Sequence, residues 1–526
     1  MSTQTKTENV AMPKRLTGTL GPIAIIFMVV AAASPLTVLG GGAPLGIALG
    51  NGAGYPSIYA IATIVLVFFA VGLTAMSRCV DKPGAFYTYI GHGLGNHAGV
   101  GAAWLALLCY TFVQVAVYAY MGVILSQTLE GLIGATAPWW LFTLAVIGGV
   151  GLLGYRHIDL SSKVLGVLLI GEIVIVAAIV IAVIPSGGPE GLSLQPFAPA
   201  EIVSGAPGVG LMFATAAFIG FEATAVYRDE AREPSKTIPR ATYGALIGIG
   251  IFYTVGSWGI VMAWGPEGVV TAATEDPSGL ILTTALNYLG PIGLVVMNVL
   301  LITSMFACVL SFHNVITRYQ MSMAHSGLLP GRLAAVHPGH KSPHISSVVQ
   351  TATAAIIIAV SILGGLDPML QIFTWYSGIA TVAVIILMLV TGIAVMVYFR
   401  GHRDQDARLW NTVVAPLIGT VGLVVFCIVV VAYFPILVGD VDASGDAVFG
   451  MTSAVLLALC VLVPAFGIVQ AEWFRRNRGA RWAGLLDSLT EDAVPGGATL
   501  AQLTESPITP HAHPDHSAST TPDRSL

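Results

Sequence analysis

Twelve stretches of about 20 residues, each dominated by Leu, Val, Ile and Ala and nearly free of charge, limit what this chain can become. They centre near residues 34, 66, 111, 147, 173, 216, 252, 306, 354, 384, 423 and 460. A helix rises about 1.5 Å per residue, so about 20 apolar residues cross a hydrocarbon core of about 30 Å. Barrel strands would instead alternate in polarity over segments of about ten residues, and these runs are continuous. The pattern predicts an all-α polytopic membrane protein with 12 transmembrane helices. Composition agrees, since 526 residues that are 55% hydrophobic and 9% charged lie far outside the soluble range.

Charge placement predicts orientation. Lys and Arg fall in the first 18 residues (Lys14, Arg15) and then in every second connection: Arg78 and Lys82, Arg156 and Lys163, Arg228 to Arg240, Arg318 to Lys341, Arg400 to Arg408. The end of the chain adds Arg475, Arg476, Arg478 and Arg481. The alternate connections carry acids only, such as Glu190, Glu201, Glu267, Glu275, Asp276, Asp440, Asp442 and Asp446. Under the positive-inside rule both termini are cytoplasmic, which supports an even number of spans, and the plasma membrane is the expected location. The net charge of −5 sums two faces of opposite character and says little about partners.

The opening "MSTQTKTENVAMPKRLTG" is polar and basic and lacks a short apolar core with a cleavage site, so it reads as an exposed arm and not a signal peptide. The tail from about residue 485 is rich in Ser, Thr, Pro, Asp and His, the composition of a disordered segment. Its "HAHPDH" (His511, His513, His516) has metal-binding side chains but reads as solvated tail. The five cysteines, Cys79, Cys109, Cys308, Cys427 and Cys460, stand singly in or beside apolar runs without metal-ligand spacing and read as packing residues.

Two spans are poor continuous helices. The first, "FMVVAAASPLTVLGGGAPLGIALG", contains Pro35, Pro44 and Gly40 to Gly42, and the sixth is interrupted at Gly220 in "FIGFE". Proline removes an amide donor and glycine weakens helix, so each span should split into two half-helices with bare backbone between them. Such backbone is tolerated at membrane depth only where it lines a buried or watery cavity. Breaks at corresponding positions of two five-helix halves point to an inverted-repeat secondary transporter with its site at the midplane; either break alone could simply allow tight helix packing.

The stretch "GFEATAVYRDEAREPSKTIPRA" resembles the sixth-span signature of the amino acid-polyamine-organocation superfamily. Two further matches follow the expected order: "DKPGAFYTYIGHGLGNHAGVGAAW" into span three and "NVITRYQMSMAHSGLLPGRLAAVHPGHKSPH" after span eight. The resemblance implies a LeuT-type 5+5 inverted repeat plus two peripheral helices. The corresponding division is an arm over 1–18, a first five-helix repeat over 19–185, a second over 186–400, peripheral helices over 401–474 and a cytoplasmic tail over 475–526. It implies an amino acid permease whose substrate, an amino acid or related amine, binds between the broken spans. Free amides of a half-helix start attract a carboxylate, and free carbonyls of a half-helix end attract an ammonium. Those groups would belong to Ala33, Ser34, Pro35 and Leu36 in span one and to Phe218, Ile219, Gly220 and Phe221 in span six. At span one the chain has "AAASPLT" where many members carry Gly-(Ser/Thr)-Gly.

Tyr110, Gln114 and Tyr118 recur every four residues and share one face of span three, either beside the site or as glue between helices. Ser304, Cys308 and Ser311 form a similar stripe in span eight which, by resemblance, faces span one. "FTWYSG" offers Trp375 and Tyr376 as gate candidates, with simple packing the alternative.

Two acids lie where lipid would be. Glu222 sits at the second break, where a carboxyl can bond to exposed amides, tie the half-helices together or hold a proton. Glu172 lies nine residues beyond Lys163, hence about 13 Å deeper, near the middle of the core. Several proton-coupled relatives carry a lysine at the matching place of span five; a glutamate keeps a titratable group there and inverts its charge. Glu172 and Glu222 are accordingly the proton-coupling candidates, with a packing role as the alternative for each. The chain reads as a transporter that takes up an amino acid with protons; the alternatives are an amino acid or polyamine exchanger and an amino acid sensor on the same scaffold. No enzyme motif, ATP-binding loop, metal site or cofactor is expected. The expected partners are the small-molecule substrate, protons and the lipid bilayer, with no nucleic acid.

Overall fold

Prolines set many of the helix starts. Pro22, Pro56, Pro207 and Pro234 each occupy the first turn of a helix, where the missing N–H has no intrahelical acceptor to lose. Glycines close several others: Gly134 and Gly439 adopt left-handed conformations (φ 67° and 79°) just past Asn96–Ile133 and Ala415–Val438. The computed structural model describes residues 20–80, 86–156, 162–340, 342–482 and 484–485. The N-terminal arm, residues 81–85 of the quoted motif and the histidine-containing tail lie outside them.

The protein is all-helical and polytopic. Among the described residues the β contacts are two isolated bridges, Leu20 with Ala231 and Val441 with Ala447. Ten helical runs are long and apolar enough to cross a membrane, and a further apolar helix, Trp139–Tyr155, has 17 residues. The run Pro22–Cys79 has 58 residues, which as one straight helix would measure about 87 Å, nearly three times the hydrocarbon core. It is interrupted at Ser34 and again at Gly50, whose φ and ψ of −104° and −126° are not helical. Leu280–His325, 46 residues, bends at Gly290 (φ 71°, ψ −170°), immediately before Pro291.

Burial orders the helices around an interior. The apolar window of Pro207–Ala225 is 83% buried and that of Met451–Asn477 only 17%, so the former lies at the centre and the latter at the edge. The Ser162–Ser186 helix is two-faced: Val167, Ile170, Val174 and Ile181 are exposed, as lipid-facing positions must be, and Glu172 on the opposite side is 2% exposed. This helix packs against Pro22–Ala33 and Leu280–His325, which carries its one acid to the first interruption.

Where helices cross without a side chain between them, the backbone itself is the packing surface. A Cβ at Gly419 would stand 2.5 Å from Phe69 N and 2.7 Å from Phe69 Cα, both fixed parts of the Tyr55–Cys79 helix. Gly419→Ala should force the two helices apart at a cost of about 1–3 kcal/mol. Thermal unfolding of the purified protein checks this: a clear drop in melting temperature is expected, and an unchanged one would contradict the crossing.

Candidate functional site

The first break falls at Ser34. The Pro22–Ala33 helix ends there in a left-handed residue (φ 57°, ψ 70°), the one non-glycine with positive φ among the described residues. Such a conformation costs an L-residue of order 1 kcal/mol or more and persists where surroundings hold it. Here Ser34 Oγ lies 2.5 Å from Thr37 Oγ1 and 2.7 Å from Ser304 Oγ, with its amide donating to Val30 and Ala31 carbonyls. The next helical segment starts at Pro35, which has no N–H, so Leu36 supplies the first amide of the new half-helix. That amide donates to Glu172 Oε2 at 3.1 Å. The chain from Val38 to Gly42 stays helical in a wider, π-type turn, so the glycine run does not itself break the span.

The second break is built around Gly220. Pro207–Ala216 gives way to a tight series of turns, Gly220 takes φ 106°, and a 3-10 helix runs from Phe221 to Glu230. A φ of this sign is open to glycine at little cost. Gly220 N donates to Glu222 Oε2 at 2.9 Å, and Tyr110 donates its hydroxyl to Glu222 Oε1 at 2.5 Å. Glu222 is 3% exposed, yet both oxygens have donors. Gly220 is half-buried, and a Cβ there would meet nothing within 4 Å, so its open side borders free space. Phe218 and Ile219 are buried in the turn, and Phe221 packs edge-on against Phe69 and Phe86.

The two polar stripes divide between the breaks and the scaffold. Tyr110 joins the second break, but Gln114 is fully committed elsewhere: its amide donates to Val309 O at 3.0 Å and Tyr118 Oη at 3.1 Å, and its carbonyl accepts from Gln350 at 2.9 Å. Gln114 thus ties three helices together, with Tyr118 as its partner within its own helix. In Leu280–His325, Ser304 meets Ser34, Cys308 is buried and Ser311 is partly exposed. Tyr376 is held by Ser361 Oγ at 2.6 Å with its ring against Phe112, and Trp375 is half-buried.

Two residues that carry no motif belong to this neighbourhood. Tyr253 donates to Ala217 O at 3.3 Å, using a carbonyl of the unwound turn, and its ring lies 5.9 Å from Phe218. Thr215, three residues before Phe218, has a buried hydroxyl without a hydrogen-bond partner. Its threonine inside an apolar run was the available signal; Tyr253 in "GIFYTVGSW" offered none.

After the second break Arg228 donates to Ser77 O, and Arg232 N, just past the 3-10 segment, donates to Leu20 O at 3.0 Å, which joins this part of the chain to the start of the Pro22–Ala33 helix. Lys236 and Glu233 form an exposed ion pair at 2.7 Å. No cluster of His, Cys, Asp and Glu able to hold a metal ion occurs among the described residues.

The geometry therefore presents unwound backbone to a small polar molecule and brings one buried carboxyl group to each break. Residues 25–483 match the family described as amino acid permease. Over 383 residues the chain is 26% identical to the branched-chain amino acid permease BcaP of Bacillus subtilis, an alignment covering 67% of this chain and 79% of that protein. It is 25% identical over 309 residues to the serine/threonine exchanger SteT of the same species, covering 56% and 66%. It is 22% identical over 351 residues to the low-affinity putrescine importer PlaP of Escherichia coli, covering 65% and 74%.

Removing the Tyr110 hydroxyl tests the second break. Tyr110→Phe leaves a buried carboxyl short of one donor, a loss of about 1.5–3 kcal/mol when the acceptor is charged. Thermal unfolding should shift down accordingly, and a melting temperature equal to that of the unaltered protein would contradict the bond.

Proposed function

The chain belongs to the amino acid permease family of secondary transporters, and on that premise we propose that it carries an amino acid inward across the cytoplasmic membrane together with protons. The observation that carries the reading is the pairing of two buried helix breaks with two buried glutamates: Leu36 N with Glu172, and Gly220 N with Glu222. Unwound backbone at this depth supplies directional donors and acceptors to a zwitterion, and a nearby carboxyl supplies a proton site.

The substrate would lie between Ala33, Ser34, Pro35 and Leu36 on one side and Phe218, Ile219, Gly220 and Phe221 on the other. Free space beside Gly220 and the unpartnered Thr215 hydroxyl favour that position. Tyr110 lines it through Glu222, whereas Gln114 acts from behind as a brace between helices. Trp375 and Tyr376 remain gate candidates; the hydrogen bond from Tyr376 to Ser361 ties such a gate to the His344–Leu363 helix.

Twelve crossings are part of the proposal. The ten long runs become eleven if Pro22–Cys79 is two spans, and twelve with Trp139–Tyr155. The breaks then occupy spans one and six of a LeuT-type 5+5 repeat, with spans eleven and twelve peripheral and both termini cytoplasmic by the distribution of Lys and Arg. Exchange of one amino acid for another is the alternative, favoured by the likeness to a protein named as an exchanger.

Uptake into vesicles containing the purified protein tests the function. Isoleucine, threonine and putrescine are offered with and without an imposed pH gradient, alkaline inside. At least one amino acid should accumulate, by up to about tenfold per pH unit for one coupled proton. Glu172→Gln should lose the accumulation driven by pH. Accumulation that ignores the gradient would favour exchange, and no flux of any solute would contradict transport.

A further inference from the structure

The first break offers one uncommitted amide, and it is occupied by the protein itself. In the half-helix that begins after Ser34, Pro35 has no N–H, Thr37 N donates to Ser34 O at 3.0 Å, and Val38 N donates to Pro35 O. Leu36 N alone is left to bind an anion, and Glu172 Oε2 holds it at 3.1 Å. The hydroxyls beside it are committed as well: Ser34 lies against Thr37 and Ser304, and Ser304 also hydrogen-bonds Glu172, which thus holds two donors. Resting on the transport reading above, we infer that the Glu172 carboxylate is a built-in competitor for the position a substrate carboxylate must take, so that an amino acid binds there only when Glu172 takes up a proton.

The charge arrangement enforces the exchange. Glu172 is 2% exposed, so a second carboxylate brought to the same amide would place two negative charges side by side away from water. A cation between them could relieve the conflict, but the titratable groups facing Glu172 from the helices packed against it are Tyr253 on Pro234–Trp264 and Cys308 on Leu280–His325. The Pro22–Ala33 helix and the Pro35–Thr37 segment contribute no titratable side chain. Among the described residues no Lys or Arg pairs with Glu172. The cheapest resolution is one proton: Glu172 becomes neutral, weakens as an acceptor and yields Leu36 N–H to the incoming carboxylate. At the opposite break the donors come from that break and from span three: Glu222 accepts from Gly220 N and the Tyr110 hydroxyl, and remains available as the anion facing a substrate ammonium.

Competition makes proton and substrate binding mutually reinforcing, since each favours the state the other needs. It also distinguishes ligands by chemistry. A carboxylate-bearing ligand must recruit the proton, and an amine without a carboxylate need not.

Calorimetry of the full-length protein in lipid nanodiscs, in two buffers of different ionisation enthalpy, reads the protons taken up per ligand bound. The probes are isoleucine, threonine, 2-methylbutylamine (isoleucine without its carboxylate) and putrescine. Whichever amino acid binds should carry up to one proton with it, and its Kd should rise up to tenfold per pH unit on the alkaline side, where the protonated fraction falls. An amine that binds should carry none. Glu172→Gln, which is neutral at every pH, should bind the amino acid with a Kd independent of pH and no proton uptake. Amino acid binding without proton uptake, or equal uptake in the Gln variant, overturns the competition and leaves transport standing. Should none of the four ligands bind, the transport reading falls with it.

Discussion

An amide N–H left open in the middle of a hydrocarbon layer has no water to satisfy it, and the structure depends on how that demand is met. Two spans stop being helical at depth, and at each stop a glutamate from the interior accepts the exposed donor: Glu172 from Leu36, Glu222 from Gly220. The donor and the acid need one another. An isolated buried carboxylate is costly, and so is an unpaired amide; together they satisfy the amide and offset part of the cost of the acid. The rest of the molecule holds these pairs in place. The Ser162–Ser186 helix presents Glu172 inward while its far face meets lipid, and Tyr110 from Asn96–Ile133 steadies Glu222.

The charge presented by the Ser162–Ser186 helix suits the half-helix it meets. A carboxylate seeks N–H groups, and Leu36 offers one at the start of that segment.

Much of this was legible before any coordinates. The apolar runs fix an all-helical membrane protein, and the acid inside the fifth run is buried, as a charge there must be. Pro35 and Gly220 mark the breaks because their backbone chemistry is local. The partners were not legible, because they depend on which helices meet. Gln114 looked like a candidate for the site on periodicity, yet Gln350, more than two hundred residues away, holds it in the scaffold. By residue type Gly40 to Gly42 is as good a break of the first span as Pro35; the break falls at Ser34, where hydroxyls of Thr37 and Ser304 support a left-handed turn. Tyr253 reaches the unwound turn through a tertiary contact that no spacing announces.

The most direct measurement is the structure of the full-length protein in a lipid nanodisc with a transported amino acid bound, determined by electron cryo-microscopy. The account predicts the ligand carboxylate about 3 Å from Leu36 N, with the Glu172 side chain turned away from it, and the ligand ammonium facing the Gly220 turn and Glu222. A ligand bound elsewhere, with Glu172 still on Leu36 N, would contradict it.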